Sequence, residues 1–320
     1  MLLEVRNLSV AFGPVSRPVR AVAGVDLDIG AGEIVGIAGE SGSGKTTLCA
    51  ALVRALPRAA RVSGDIRFAG RSIHALSREE LRQVRGREIA MILQNPMTSL
   101  DPLFTIGNQL GEVLATRCDV PAPQLRGREL ELLRSVHITA PEERLRQYPH
   151  ELSGGMRQRV LIAMAGSMAP KLLLADEPTT ALDATIQEEI LVLFRELRDL
   201  RGTAIAIVTH DLGVIRRICD RIVVMYAGRI VEEGPVAAVF AAPRHPYTRA
   251  LLASVPVLDG DRVQVQAIAG QVPNLADLGD FCAFADRCPM AIDQCRAQAP
   301  PQTALGQQRR VFCWRADEMS

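Results

Sequence analysis

The stretch Gly39–Thr46 carries residue types at a spacing that can bind a polyphosphate. It reads GESGSGKT and fits the pattern G-x-x-x-x-G-K-[ST] at every fixed position. Its glycines allow consecutive backbone N–H groups to converge on an anion, and the start of a following helix adds partial positive charge. We expect Lys45 to reach the terminal phosphates and the Thr46 hydroxyl to ligate Mg²⁺. The stretch therefore predicts a site for a nucleoside triphosphate.

The segments on either side of the loop support this prediction. Residues 34–38 form a short apolar run that is typical of a buried parallel strand, and residues 47–53 favour a helix that closes before Pro57. Lys45 and Lys171 are also the only lysines among 37 basic residues. Because a phosphate loop needs a compact charge on a slim stem, a planar guanidinium does not replace lysine there. Both observations favour a phosphate site over a flexible glycine turn.

Length and composition limit the class of protein. With 320 residues the chain exceeds a typical single domain, so we expect a main domain with an appendage. A net charge of +1 and an aromatic content of 4% give no indication of nucleic-acid binding. No apolar run reaches the length of a membrane span, and the first residues lack a signal-peptide pattern. We expect a cytoplasmic chain that associates with a membrane only through a partner.

The patterns around the loop predict an α/β domain with a helical insert. Further strands are expected at residues 3–10, 22–29, 62–70 and 88–93. Phe12 follows the first of these strands, and it is either a core residue or a flat ring that stacks on a nucleotide base. Gln94 follows the last of them and, taken alone, is typical of a solvated strand end. Helical segments separated by prolines then extend to about residue 168.

A second glycine-rich helix start closes this insert. Ser153, Gly154 and Gly155 precede a predicted helix at residues 160–165. Such a start serves either as an ordinary helix cap or as a second anion site, because exposed amides at a helix N-terminus favour negative charge. The residues alone leave both functions open.

Two acids end the next predicted strand. Residues 172–175 are apolar and lead into Asp176 and Glu177. Neighbouring side chains at a strand end point in different directions, so the two carboxylates suit two roles. With a phosphate loop upstream, we expect Asp176 to hold Mg²⁺ through its water shell and Glu177 to take a proton from attacking water. The alternative is a solvated strand end.

The following segment predicts a helix at residues 185–200 and a strand at residues 204–209 that delivers His210 at its end. Open α/β sheets bind ligands at that edge, which favours a functional histidine over a structural one. Residues 221–234 predict a hairpin around residues 227–228. The helix predicted at residues 185–200 carries an apolar stripe that we expect in the core. The stripe consists of Ile186, Ile190, Leu193, Phe194, Leu197 and Leu200.

Six short motifs in one order make residues 3–235 resemble an ATP-binding-cassette (ABC) ATPase: GESGSGKTT, the glutamine after a strand, LSGGMRQR, LLLADEP, ALD and THD. The resemblance implies an α/β P-loop NTPase fold with a RecA-like core, an antiparallel β-subdomain and a helical subdomain at about residues 95–168. It implies Glu177, His210 and Gln94 as catalytic residues and Thr46, Gln94 and Asp176 as magnesium-binding residues. The implied ATP-binding residues are Phe12, Gly39, Glu40, Ser41, Gly42, Ser43, Gly44, Lys45, Thr46, Thr47, Ser153, Gly154, Gly155 and Asp183.

The tail resembles that of oligopeptide and dipeptide importer ATPases. Residues 242–252 are similar to their HPYT-x-x-LL segment, and residues 281–289 are similar to their C-terminal extension. This implies an extension at residues 236–320, peptide import, and head-to-tail pairing with a second, related ATPase subunit in a heterodimer. It also implies two transmembrane permease subunits and, as an indirect partner, an extracytoplasmic peptide-binding protein. The chain would then be a peripheral protein at the cytoplasmic face of the inner membrane. The alternatives are a nickel or other small-solute importer of this subfamily and a non-transport cassette protein.

Four of the seven cysteines lie in the last 39 residues. Cys282, Cys288, Cys295 and Cys313 are separated by five, six and seventeen residues. Structural zinc sites usually pair close cysteines, and disulfides are rare in cytoplasmic chains, so these gaps better suit a [4Fe–4S] cluster. The resemblance to peptide importers points the same way. Zinc and unligated thiols stay open as alternatives.

Overall fold

The structure is a computed structural model that describes residues 1–255, 257–259, 262–264, 267–306 and 308–319. The chain divides into two compact units. The first unit comprises Met1–Gly30, Ile34–Ala75 and Val208–Ser320. The second comprises Ala31–Glu33 and Leu76–Ile207. No helix in the described ranges is long and apolar enough to cross a membrane.

The strands, in chain order, are β1 (Leu3–Phe12), β2 (Val19–Ile29), β3 (Ile34–Ala38), β4 (Arg61–Phe68), β5 (Arg71–Ser72), β6 (Ile89–Ile92), β7 (Leu172–Asp176), β8 (Ala204–Thr209), β9 (Arg221–Tyr226), β10 (Arg229–Pro235), β11 (Val257–Asp259), β12 (Arg262–Gln264), β13 (Gln302–Ala304) and β14 (Arg310–Phe312).

The α-helices are α1 (Lys45–Leu52), α2 (Arg78–Arg87), α3 (Pro96–Ser99), α4 (Ile106–Arg117), α5 (Ala122–Ser135), α6 (Pro141–Arg144), α7 (Gly154–Gly166), α8 (Ala184–Arg201), α9 (Leu212–Ile218), α10 (Val236–Ala241), α11 (Pro246–Ala253) and α12 (Asp293–Ala297). Short 3₁₀ helices lie at Pro149–Glu151, Ala285–Arg287 and Ala316–Glu318.

The first unit contains an antiparallel sheet in the order β2-β1-β4-β5. Val5 of β1 lies opposite Leu27 on one side and Ile66 on the other. All three side chains are fully buried, because alternation along a strand sends every second side chain to the same face. This sheet confirms the strands predicted at residues 3–10, 22–29 and 62–70.

The strand that feeds the phosphate loop belongs to a mixed sheet in the same unit, in the order β13-β14-β10-β9-β3. Every residue of β3 is buried, and the strand pairs in parallel with β9. Strands β9 and β10 form the predicted hairpin, and Ala227 and Gly228 turn it with φ values of 47° and 81°. The sheet therefore holds β3 rigidly up to the residue at which the loop begins.

The second unit carries the predicted helical insert. Strands β6 and β7 pair in parallel, and Ala204 at the start of β8 donates its N–H to the Lys171 carbonyl at 2.9 Å. Helices α3 to α7 lie within residues 95–168, which confirms the helical character of this segment. The bounds chosen for the cassette, the helical subdomain and the extension stay predictions.

The apolar stripe of α8 is shorter than its periodicity predicts. Ile190, Leu193 and Phe194 are buried, whereas Leu200 is 82% exposed. Leu200 lies in the last turn, and the chain leaves the helix through Gly202 with φ at 67°. The prediction that Leu200 belongs to the core is therefore wrong, because packing on this helix ends before the helix does.

Candidate nucleotide-binding site

The phosphate loop leaves β3 at Ala38 and enters α1 at Lys45. Two of its glycines cannot be replaced without a backbone collision. A Cβ on Gly39 (φ 154°) would lie 2.2 Å from the Met225 carbonyl oxygen, and one on Gly44 (φ 97°) would lie 2.1 Å from the Ala21 carbonyl oxygen. The loop therefore fits between β2 and β9 only because these positions carry no side chain.

Lys45 forms hydrogen bonds with three other residues of the loop. Its ammonium donates to the carbonyl oxygens of Gly39 and Glu40 at 2.8 and 2.9 Å and to the Ser43 hydroxyl at 3.3 Å. The side chain is 6% exposed, whereas Ser41, Gly42 and Thr46 are exposed. A buried positive charge thus lies behind a solvent-facing loop. This is an arrangement that can attract and hold an anion.

The start of α1 is open to a ligand. Gly44 is the N-cap residue, and no side chain caps the helix. The first backbone N–H groups of a helix lack partners inside it, and they carry partial positive charge. At this end of α1 they can donate to phosphate oxygens.

Ser153 and the two glycines after it begin α7 in the second unit. The Ser153 hydroxyl accepts the Met156 N–H at 3.3 Å, so this helix start does have a side-chain cap. A Cβ on Gly155 would lie 2.4 Å from Cγ2 of Ile186. The Arg157 guanidinium donates to the carbonyls of Pro149 and Leu152 and fixes the preceding turn.

The two acids at the end of β7 have different environments. Asp176 is 1% exposed and ends the strand. Glu177 has φ at 49°, in the left-handed region, and its carboxylate accepts the Thr180 hydroxyl at 2.6 Å. A non-glycine residue in this region costs about 1 kcal/mol or more, and such strain is concentrated at functional sites.

The remaining predicted residues lie at the ends of elements. Phe12 is the half-buried last residue of β1, and Gln94 is exposed just after β6. His210 is exposed directly after β8. Asp183 is the N-cap of α8, where it accepts the Ile186 N–H at 3.0 Å.

The two units hold different parts of the predicted set. Phe12, the phosphate loop and His210 belong to the first unit. Gln94, Asp176 and Glu177 belong to the second, together with the start of α7 and Asp183. Within the second unit, Gly154 lies near the Asp183 turn, since a Cβ on it would be 3.6 Å from Leu182.

Sequence reasoning missed two residues that touch the phosphate loop. The Glu40 N–H donates to the Tyr247 hydroxyl at 2.8 Å, and the Glu40 carboxylate pairs with Arg287 at 2.7 Å. Tyr247 lies in the HPYT segment, which the sequence did single out, but only as a marker of the tail. No local pattern could connect Glu40 with a residue 247 positions away.

The four clustered cysteines line one small cavity, together with His245 and Trp314. Burial raises the pKa of the Cys282 thiol to about 11 and raises the thiol pKa values of Cys288 and Cys313. Within the described ranges, however, no group of three or more His, Cys, Asp or Glu residues is arranged to hold a metal ion. The structure therefore brings the four thiols into one cavity.

Comparison with known proteins decides the family. The model of the ABC transporter family matches residues 22–180, and the model of the oligopeptide/dipeptide transporter C-terminal region matches residues 231–295. The probable peptide ABC transporter ATP-binding protein y4tR of Sinorhizobium fredii is 47% identical over 100% of this chain and 96% of its own length. The chain belongs to the ABC transporter ATPases.

The sequence matches to other relatives of this ABC ATPase cover nearly its whole length. The oligopeptide transport ATP-binding protein AppD of Bacillus subtilis is 43% identical over 99% of this chain and 97% of its own. The dipeptide transport ATP-binding protein DppD of Escherichia coli is 44% identical over 98% of this chain and 96% of its own. The C-terminal match includes three of the clustered cysteines and ends before Cys313.

Solved cassettes confirm the fold class. The dimeric ATP-binding cassette MJ0796, bound to ADP and Pi after hydrolysis, has a TM-score of 0.66 and 30% identity over 73% of this chain and 98% of that chain. The cbiO1 subunit of a Clostridium perfringens transporter has a TM-score of 0.63 over 75% of this chain and 90% of its own. This ABC ATPase is therefore an enzyme whose family couples ATP hydrolysis to transport and uses ATP with Mg²⁺.

Proposed function

We propose that this chain is the ATP-hydrolysing subunit of an importer of dipeptides or oligopeptides. The observation that carries the proposal is the pair of matches on one chain. A cassette and a peptide-transporter C-terminal region occur together, and relatives at 43–47% identity along the full length are named for peptide transport. The cassette itself does not read the cargo, so the substrate class rests on these relatives.

The phosphate loop is the ATP site in this proposal. Gly39–Thr47 wraps the triphosphate, and Lys45 exchanges its carbonyl partners for phosphate oxygens, because a charged acceptor forms the stronger hydrogen bond. Phe12 stacks on adenine. Bound Mg²⁺ would neutralise phosphate charge, and hard oxygen donors suit it. Thr46, Gln94 and Asp176 supply such donors in side chains of the right kind.

The hydrolytic step belongs to Glu177 in this proposal. Its carboxylate takes a proton from the water that attacks the γ-phosphate, while His210 and Gln94 orient the reacting groups. The left-handed backbone of Glu177 and its bond to Thr180 support this role, because they fix the carboxylate just beyond the buried end of β7.

A second cassette completes each site. Ser153, Gly154, Gly155 and Asp183 contact ATP bound to the phosphate loop of a partner subunit, so ATP joins the two subunits head to tail and hydrolysis releases them. We propose that this partner is a related but different ATPase chain. The pair docks on two transmembrane permease subunits at the cytoplasmic face of the membrane, and an extracytoplasmic peptide-binding protein delivers the cargo. Nucleic acid has no part in this function.

Transport by the assembled complex tests the proposal. Proteoliposomes with the permease pair and both ATPase subunits should take up a labelled dipeptide only with ATP, and Lys45→Ala should abolish the uptake. Uptake of Ni²⁺ without peptide uptake would favour the nickel-importer alternative. Full ATPase activity of this chain without membrane subunits would favour a non-transport cassette protein.

We also propose that Cys282, Cys288, Cys295 and Cys313 bind a [4Fe–4S] cluster with a structural role. Their shared cavity supports this, since thiolates are the ligands that such clusters use. Anaerobically purified protein should be brown and contain iron and sulfide, and Cys288→Ser should lose the colour. Stoichiometric zinc, or a folded tail without metal, would contradict the proposal.

A further inference from the structure

Glu40, the second residue of the phosphate loop, is held at three of its groups. Its N–H donates to the Tyr247 hydroxyl at 2.8 Å. Its carbonyl accepts from the Lys45 ammonium at 2.9 Å. Its carboxylate accepts two bonds from Arg287, at 2.7 and 3.0 Å. Because Lys45 bonds to the same residue, any movement of the Glu40 backbone also moves the partner of the phosphate-binding lysine.

Hydrogen bonds hold the Arg287 side chain in this position. All five of its N–H donors have acceptors, which are the Glu40 carboxylate, the Tyr226 hydroxyl and the carbonyls of Ile268 and Ala269. Its side chain is 5% exposed, and the bonds to Glu40 raise the pKa of the guanidinium further. A bidentate pair with a buried guanidinium is directional and resists rotation.

An aromatic cluster supports both anchors. The rings of Tyr226, Tyr247 and Phe284 contact one another with centroids 4.6 to 5.4 Å apart, and all three side chains are buried. The Arg287 guanidinium lies 5.7 Å from the Tyr226 ring centroid. Beyond Tyr226, the turn residue Gly228 donates its N–H to the Ser43 carbonyl at 3.0 Å. The phosphate loop is therefore held at Glu40 by Tyr247 of the cluster and at Ser43 by the hairpin turn that follows Tyr226.

We propose that Arg287 and Tyr247 are positioning residues that set the ATP affinity of the phosphate loop. The inference rests on the proposed role of Gly39–Thr46 as the ATP site. Arg287 neutralises a carboxylate in a loop that must accept a polyanion, and Tyr247 fixes the backbone of the same residue. Without Arg287, the Glu40 carboxylate would repel the phosphates and the loop would lose its anchor. The C-terminal extension is thus part of the nucleotide site.

A double-mutant cycle on the full chain tests this role, with a fluorescent ATP analogue as the probe and the dissociation constant as the readout. Arg287→Met should weaken binding by about tenfold, the scale of one charge-assisted contact. Adding Glu40→Gln removes the unpaired carboxylate and should restore the affinity to within about threefold of wild type. An equal loss in the single and double variants would overturn the inference, because it would mean that Arg287 only supports folding.

Three further variants separate the possible causes. Tyr247→Phe keeps the buried ring and removes only the acceptor of the Glu40 N–H, so it should weaken binding by about threefold even if Arg287→Met fails to fold. Arg296→Met breaks an exposed pair with Asp286 in the same extension and should leave the dissociation constant of the ATP analogue unchanged. Lys45→Ala should abolish binding. Unchanged binding in Lys45→Ala would refute the proposed ATP site itself, whereas unchanged binding in both Arg287→Met and Tyr247→Phe would refute only the positioning role.

Discussion

The two glycine-rich helix starts of this protein use glycine for different physical reasons. In the phosphate loop, Gly39 and Gly44 have positive φ values and lie against backbone carbonyls. At the start of α7, Gly154 and Gly155 have ordinary backbone angles, and Gly155 is needed because Ile186 of α8 packs where its side chain would be. Positive φ together with close approach to backbone carbonyls is the constraint at the first site, and close helix packing is the constraint at the second.

The two starts also differ in how the helix is capped. No side chain caps α1, whereas the Ser153 hydroxyl accepts a backbone N–H at the start of α7. At a start without a side-chain cap, no hydroxyl competes with an anion for the first N–H groups of the helix. At the start of α7, the Ser153 hydroxyl already accepts one of these N–H groups. This difference predicts that changes at the two starts separate nucleotide affinity from stability.

Gly44→Ala should have the largest effect. The new methyl group would lie 2.1 Å from the Ala21 carbonyl oxygen, so the loop must move and nucleotide binding should fall by about a hundredfold or more. Titration of a fluorescent ATP analogue measures this. Gly42→Ala is the matched control for stability, since Gly42 also has positive φ but open space around it. It should destabilise the fold by only about 1 kcal/mol. Similar unfolding free energies for the two variants would contradict the collision.

Gly155→Ala should lower stability and leave nucleotide affinity unchanged in the isolated chain. The added methyl group meets Ile186 at 2.4 Å, and overpacking of this kind costs about 1–3 kcal/mol. Urea unfolding measures the loss. In an Ile186→Ala background the same substitution should cost less, because the colliding methyl group is gone. Additive penalties would show that packing against α8 is not the reason for the glycine.

Ser153→Ala should have the smallest effect. It removes the hydroxyl that accepts the Met156 N–H, and the loss of such a cap costs about 1 kcal/mol. Thermal unfolding detects a change of this size. Asp183→Ala removes the equivalent cap of α8 and provides a matched comparison. A loss of ATP affinity in the isolated Ser153→Ala chain would contradict the separation of the two helix starts.

The sequence predicts the elements whose determinants are contiguous. The phosphate loop, the two acids at the end of β7 and the hairpin at Ala227 each depend on neighbouring residues, and the structure contains all of them. Contacts between distant residues could not be predicted. The packing of Gly155 against Ile186 and the pair of Glu40 with Arg287 depend on how the folded chain brings distant residues together.

Periodicity also overestimated the core. Leu200 continues the spacing of the α8 stripe, yet it is 82% exposed, because a repeat in sequence continues to the end of a helix whether or not another element covers the last turn.

For the four clustered cysteines, in contrast, closeness in the sequence does correspond to closeness in the structure. Spacing brought out four thiols, and the structure places them around one cavity. Whether they bind a cluster depends on ligand geometry, which spacing does not determine.

ATP turnover of the Glu177→Gln variant in the assembled transporter is the most direct test of the account. Glutamine preserves the shape of the site but cannot take a proton, so turnover should fall by about two or more orders of magnitude while ATP binding stays intact. The surface variant Glu131→Gln, which disturbs only an exposed pair with Arg128, should keep normal turnover. Turnover of Glu177→Gln close to that of the wild type would contradict the assignment of Glu177 as the catalytic base.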